Sequence, residues 1–183
     1  MQLVKFAAVA LAATLSAVAL SASAQVMVGG APMYSSKDII DNAVNSKDHT
    51  TLVAAVQAAG LVQTLKGPGP FTVFAPTNEA FAALPAGTVD NLLKPESKAT
   101  LTKVLTYHVV AGKMDAATIM KAIDAGGGKA TFTAVSGGTL TAMKSGSSIM
   151  IGDEAGGMAR VTIPDVIQSN GVIHVVDKVL LPK

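Results

Sequence analysis

The chain contains no cysteine and no tryptophan, and only 4% of its residues are aromatic. Without cysteine there is no disulfide, no thiolate ligand for a metal, and no lipid-bearing N-terminal cysteine after a signal. Stability has to come from an apolar core, which 183 residues, half of them hydrophobic, are enough to build. An excess of one charge is missing too: 14 basic residues face 12 acidic ones, a formal net of +2. With no basic stripe and few rings to stack bases, nucleic-acid binding has no support. Nor is there a nucleophile elbow, a phosphate-cradling loop or a dinucleotide fingerprint. Gly126-Gly127-Gly128 and Gly156-Gly157 read as turns beside hairpins.

One long hydrophobic run is present, and it lies at the start. Lys5 precedes an apolar stretch from Phe6 to Leu20, broken only by Thr14 and Ser16. Ala22-Ser23-Ala24 then supplies small residues where a signal peptidase cuts. The run is shorter than the ~20 residues a membrane span prefers, so residues 1–24 are expected to be a cleaved secretory signal. No second apolar run follows near the C-terminus, which predicts no membrane span after signal removal. The expected product is soluble and either secreted or periplasmic. Residues 25–34 are expected to be a flexible or loosely docked leader, and residues 35–183 a single domain.

Helical patterns fill the first part of that domain. Ser35-Ser36-Lys37-Asp38 resembles a capping box ahead of an apolar stripe of Ile39, Ile40, Ala43 and Val44. A second helix is predicted from His49 to Ala59, with Leu52, Val53, Val56 and Ala59 on one face and Gly60 ending it. Leu61 to Leu65 reads as a turn before the breaker Gly67-Pro68-Gly69-Pro70. Phe71 to Ala75 alternates as a buried strand, Pro76 stops it, and Thr77 or Asn78 caps the next helix. Short helices are predicted after Thr88 and after Pro95-Glu96, the latter carrying Leu101, Val104 and Leu105. The chain is then expected to extend as a strand over Leu105 to Val110. Asp115 is expected to cap a helix from Ala116 to about Asp124.

After Gly126 the period changes from helical to two, the mark of strands. These are expected over Lys129–Val135, Thr139–Met143, Ser148–Gly152, Ala159–Ile163 and Val172–Leu180. With the strands at Phe71 and Tyr107 there are about seven. Helices grouped before hairpins indicate an α+β domain rather than repeated βαβ units.

Candidate chemistry is sparse. His49 reads as a solvated residue at a helix start, and His108 and His174 as hydrogen-bonded strand histidines too poor in partners for a metal site. Asp153-Glu154, adjacent in a glycine-rich hairpin, reads as a solvated turn. No catalytic residue, cofactor or metal is expected. Met27, Met33, Met114, Met120, Met143, Met150 and Met158 suit core or edge packing, with a Met-lined apolar cleft as the alternative.

Three segments carry a family resemblance. Gly69-Pro70-Phe71-Thr72-Val73-Phe74-Ala75-Pro76-Thr77-Asn78-Glu79-Ala80-Phe81 resembles the first signature box of fasciclin domains. Asn170-Gly171-Val172-Ile173-His174-Val175-Val176-Asp177-Lys178-Val179-Leu180-Leu181-Pro182 resembles their last. Leu105-Thr106-Tyr107-His108-Val109-Val110 is similar to their Tyr-His strand. The wording around Gly29–Tyr34 and Asn45–Val53 resembles single-domain exported proteobacterial members, some of whose relatives in root-nodule bacteria are associated with symbiosis.

The resemblance implies a wedge-shaped β-sandwich flanked by helices. It also implies a non-enzymatic adhesion module whose partner is a cell-surface or matrix protein or a polysaccharide. In animal members, receptor binding is linked to the Tyr-His strand and to a Pro-Asp-aliphatic stretch before the last box. Here these positions hold Tyr107 and His108, and Pro164, Asp165, Val166 and Ile167; Pro164-Asp165 also reads as an exposed turn leading the chain out of a strand. Ile163 stands where the animal motif has an acidic residue. Some algal members carry carotenoids, so a soluble carrier of an apolar ligand is the alternative function.

Overall fold

The computed structural model describes residues 25–183; the signal expected over residues 1–24 lies outside them. The leader, expected to be flexible or loosely docked, is docked. β1 (Met27–Val28) and β2 (Ala31–Pro32) form a small hairpin, and Val28 and Met33 are buried in the core. Gly29 makes this possible. Its φ is +59°, and a Cβ there would collide with Ser46 and the backbone of Lys47 and Asp48.

Helices α1 (Ile39–Ala43), α2 (Thr50–Ala59) and α3 (Val62–Lys66) follow. Asp38, rather than Ser35, caps α1: its carboxylate accepts the Asp41 N–H at 2.8 Å. The expected turn at Leu61–Leu65 is helical. β3 (Phe71–Pro76) leads into α4 (Asn78–Ala82), where Thr77 Oγ1 accepts the Ala80 N–H at 3.2 Å. Next come α5 (Thr88–Leu92), α6 (Lys98–Tyr107), β4 (Val109–Ala111) and α7 (Ala116–Ala125). Asp115 caps α7 as its sequence predicts, accepting the Thr118 N–H at 2.7 Å.

Five strands complete the chain: β5 (Lys129–Thr133), β6 (Thr139–Ser145), β7 (Ser148–Gly152), β8 (Met158–Gln168) and β9 (Gly171–Val176). Seven strands form one sheet in the order β4-β3-β9-β8-β7-β6-β5. The β3–β9 pair is parallel and the other pairs are antiparallel. An Ala134–Val110 bridge brings the β5 end back to β4, so the sheet nearly closes on itself.

The strand expected to stop at Ile163 runs on to Gln168. It does so through two bulges: Thr162 is extra against β9, and Pro164 and Asp165 together oppose His174. A bulge tolerates a proline without an N–H and sharpens the bend of the strand. That bend lets β8 pair with β7 over Met158–Arg160 and with β9 over Val161–Gln168, joining the two halves of the sandwich.

Two apolar cores result. Successive side chains of β3 point to opposite faces, so Val73 and Ala75 enter one core while Phe74 enters the other. The first core lies under α1, α2 and α6, with Ile39, Val56, Leu105 and Ile173. The second fills the curl of the sheet beneath α7, with Tyr107, Ile119, Ile123, Leu140, Ile151 and Leu180. Among the described residues, no helix is long and apolar enough to cross a membrane.

Candidate contact site and its histidine supports

The five residues proposed from sequence as contacts separate into two places. Tyr107 and His108 do not lie in a strand: Tyr107 ends α6, His108 is its C-cap, and β4 starts only at Val109. Both are buried, at 0% and 2% exposure, so neither can touch a partner directly. The Tyr107 hydroxyl donates to the Thr139 carbonyl at 2.6 Å and accepts the Glu154 N–H at 3.0 Å. Burial raises its pKa, and the nearby Glu154 and Asp153 carboxylates add to the rise. Its ring lies against Gly138, where a Cβ would approach the ring carbons to 2.6 Å.

His108 bonds at both nitrogens. Nδ1 lies 2.8 Å from the Val104 carbonyl, so it carries the proton and donates. Nε2 is thereby an acceptor, and takes the Leu180 N–H at 2.9 Å. Burial pushes its pKa down from 6.5 to about 4, which keeps the ring neutral at ordinary pH.

The remaining three residues belong to the β8 bulge and the strand beyond it. Pro164 is exposed, and Asp165 and Ile167 are half-buried. Asp165 is the sole non-glycine residue with positive φ among the described residues, at +56°. Its carboxylate accepts the N–H of Ala116, first residue of α7, at 2.6 Å. Asp165 is therefore a long-range tether rather than a freely solvated turn. Together with Asp115 it places two carboxylates at the positive end of the α7 dipole.

His174 supports the bulge from the next strand. Its ring stacks on Phe74, with centroids 5.7 Å apart. Nε2 donates to the Met114 carbonyl at 2.7 Å, and Nδ1 accepts the Asp165 N–H at 3.3 Å. Burial lowers the pKa of His174, opposed by the Met114 carbonyl and by the Asp165 and Asp115 charges.

Asp165→Ala is expected to cost about 2–3 kcal/mol. It removes a charge-assisted hydrogen bond of ~1.5–3 kcal/mol and leaves alanine in the left-handed region, where only glycine, asparagine and aspartate are at ease. Asp165→Asn keeps an acceptor oxygen and tolerates the backbone, so its cost should stay below about 1 kcal/mol. Urea midpoints of the two variants check this. Equal losses would remove the tether.

Several polar residues depart from what the sequence predicts for them. His49 is not solvated: it is 3% exposed, with Nδ1 2.9 Å from Ser46 Oγ and Nε2 without a hydrogen-bond partner. Burial lowers its pKa, offset in part by the Ala75 backbone and by the Asp48 charge. Asp153 and Glu154 are more than a solvated turn. Asp153 accepts the Gly157 and Leu181 N–H groups, while Glu154 accepts those of Thr139 and Lys183, so together they fasten the C-terminal tail. Asn170, read only as part of a signature box, accepts the Ile39 N–H and donates to the Leu65 and Gly67 carbonyls. Such roles leave no local sequence signal beyond a short polar side chain beside a turn. Of the methionines, only Met33 lines the apolar cavity of the first core, so that cavity is not a Met-lined cleft.

The described residues contain no group of three or more His, Cys, Asp or Glu arranged to hold a metal ion. The chemistry on offer is hydrogen bonding and apolar contact. The Fasciclin domain model matches residues 47–182. The chain belongs to the fasciclin-domain family. It is 46% identical over 156 residues to protein sll1483 of Synechocystis, covering 85% of this chain and 79% of that protein. It is 34% identical over 145 residues to the cell surface glycolipoprotein MPB83 of Mycobacterium bovis, covering 76% of this chain and 58% of that protein. Among solved structures, a domain pair from the insect cell adhesion molecule Fasciclin I superposes with a TM-score of 0.69 at 16% identity. That match covers 79% of this chain and 51% of the other. It shows the shared fold: a nearly closed seven-stranded sheet with flanking helices is the fasciclin architecture here.

Proposed function

We propose that this fasciclin domain is an exported, non-enzymatic interaction module that binds a cell-surface or matrix protein or polysaccharide. The observation that carries the reading is family membership, with relatives named for the cell surface and for cell adhesion. The proposed contact point is the β8 bulge. Pro164 stands out from it as a rigid apolar surface, Asp165 holds it in place, and Ile167 extends it along the strand. Tyr107 and His108 act at a distance, by fixing the sheet end and the tail. Export would release a chain starting near Gln25.

The test uses labelled protein purified from the exported fraction, with an intact mass that begins near Gln25. Binding to intact cells, envelope vesicles and isolated surface polysaccharide of the same organism should be saturable. Pro164→Arg should lower the affinity at least about tenfold, with an unchanged melting temperature, because an exposed side chain contributes little to folding. Unsaturable binding, or full affinity in folded Pro164→Arg, would remove the bulge as the contact. The alternative of a carotenoid carrier has no support in the cavity of the first core. At about 60 Å³ it holds a few heavy atoms rather than a long polyene.

A further inference from the structure

The turn between β8 and β9 carries the single Asn-Gly pair of the sequence, Asn170-Gly171. In a mobile chain this pair is chemically labile. Gly171 has no side chain to shield its amide nitrogen, so that nitrogen can reach the side-chain carbonyl carbon of Asn170. Asn42, Asn45, Asn78 and Asn91 are each followed by a residue with a Cβ, which obstructs the same approach.

The fold calls for both members of the pair. The Asn170 amide bridges two helix ends: Oδ1 accepts the N–H of Ile39, first residue of α1, at 3.1 Å. Nδ2 donates to the Leu65 and Gly67 carbonyls at the end of α3, at 2.7 and 3.1 Å. Such terminal groups have no partner within their own helix. At Gly171 a Cβ would stand 2.1 Å from the Phe71 carbonyl oxygen, so any side chain there would force β3 and β9 apart. The same contacts suppress the reaction. Cyclisation requires the Asn170 side chain to swing back over the Gly171 nitrogen, and three hydrogen bonds hold it against α1 and α3 instead. The backbone is fixed on both sides of the turn. Phe71 N–H donates to the Asn170 carbonyl at 3.0 Å, and Ser169 N–H to the Lys37 carbonyl at 2.9 Å.

We propose that Asn170 is a deamidation site masked by folding, whose modification makes unfolding irreversible. Once the turn opens, the Gly171 nitrogen bonds to Asn170 Cγ and gives its proton to water. The Cγ–Nδ2 bond breaks, and Nδ2 leaves as ammonia with a proton from water. A second water opens the succinimide ring at either carbonyl, giving aspartate or isoaspartate, with no oxidant or reductant involved. Aspartate at 170 can still accept the Ile39 N–H, but it has no proton for the Leu65 and Gly67 carbonyls and sets a negative charge against both oxygens. Isoaspartate adds a main-chain carbon before Gly171, which breaks the pairing of Gly171 with Phe71. A chain that stays open long enough to react is thereby retired, whatever it binds at Pro164.

Protein purified from the exported fraction is incubated at mildly alkaline pH, folded in buffer and unfolded in guanidinium chloride, and its five asparagines are followed by peptide mass mapping. In denaturant Asn170 should convert first. In the folded protein its conversion should be at least about tenfold slower, because the reaction then waits on opening of the structure. Ion exchange separates converted from unconverted chains by the added carboxylate. On removal of denaturant the unconverted chains should refold and the converted ones should not, as read by circular dichroism and limited proteolysis. Asn170→Asp, which reproduces one product directly, should fail to fold or unfold at lower denaturant than wild type. The proposal is overturned by equal conversion rates in the folded and unfolded protein, by another asparagine converting first, by converted chains that regain wild-type stability, or by an unchanged midpoint in Asn170→Asp.

Discussion

His108→Ala should destabilise the domain by about 3–5 kcal/mol, a large share of the ~5–15 kcal/mol that holds a typical domain together. Truncating the ring leaves a void in a fully packed region, and the surroundings relax only partly around such voids. It also orphans the Leu180 N–H, which is buried and has the imidazole Nε2 as its partner. An unsatisfied buried donor costs ~1–3 kcal/mol by itself. The loss should therefore exceed that of a simple cavity, and His108→Gln, whose amide can both donate and accept, should recover part of it. Urea unfolding of the three proteins, with and without chelator, gives the comparison. A loss in His108→Ala below about 1 kcal/mol would show that the tail is not held there. Stability that falls on adding chelator would instead make His108 a metal ligand.

Acid should unfold the protein well above the pH at which exposed carboxylates titrate. His108, His49 and His174 all have pKa values lowered by burial. In the unfolded chain each returns to about 6.5, so the unfolded state binds more protons and is favoured as pH falls. The stability from neutral burial is fully present above about pH 6.5. For His108 it is lost progressively as pH drops towards its folded value of about 4. That single residue corresponds to roughly 3 kcal/mol across the window, and the other two act in the same direction. The carboxylates of Asp41 and Asp115 have pKa values lowered below 3.8, by Lys66 and by the Thr118 side chain and N–H respectively, so what they contribute is lost only at more acid pH. Urea midpoints should fall steeply between pH 6.5 and 4, and less steeply in His108→Gln. A flat profile over that range would mean that the buried rings do not titrate on unfolding.

The bulge and His108 illustrate how local and distant interactions divide the work. Pro164-Asp165 reads in the chain as a turn out of a strand, whereas its backbone forms a bulge inside β8. Its chemistry was not visible, because the bond that defines it reaches Ala116, 49 positions away. The same holds for His108, whose Nε2 partner is 72 positions distant.

What the sequence by itself determined is the set of features written within a few residues. The caps at Thr77 and Asp115, the end of α2 at Gly60 and the paired strands after Gly126 depend on neighbouring side chains and on periodicity. The family follows from its signature boxes, and with it the α+β architecture. Only the tertiary structure decided whether Leu105–His108 is helix or strand. The apolar positions Leu101, Val104 and Leu105 continue a helical stripe, while Tyr-His-Val-Val also suits a strand, and a short apolar run fits either period. Packing against both cores settled it as helix through Tyr107. Tertiary contacts also buried His49, docked the β1–β2 hairpin and turned Asp153 and Glu154 into anchors for the tail. Burial and hydrogen-bond partners are properties of the assembled layers, because the groups that desolvate a histidine or satisfy a carboxylate come from elements far apart in the chain.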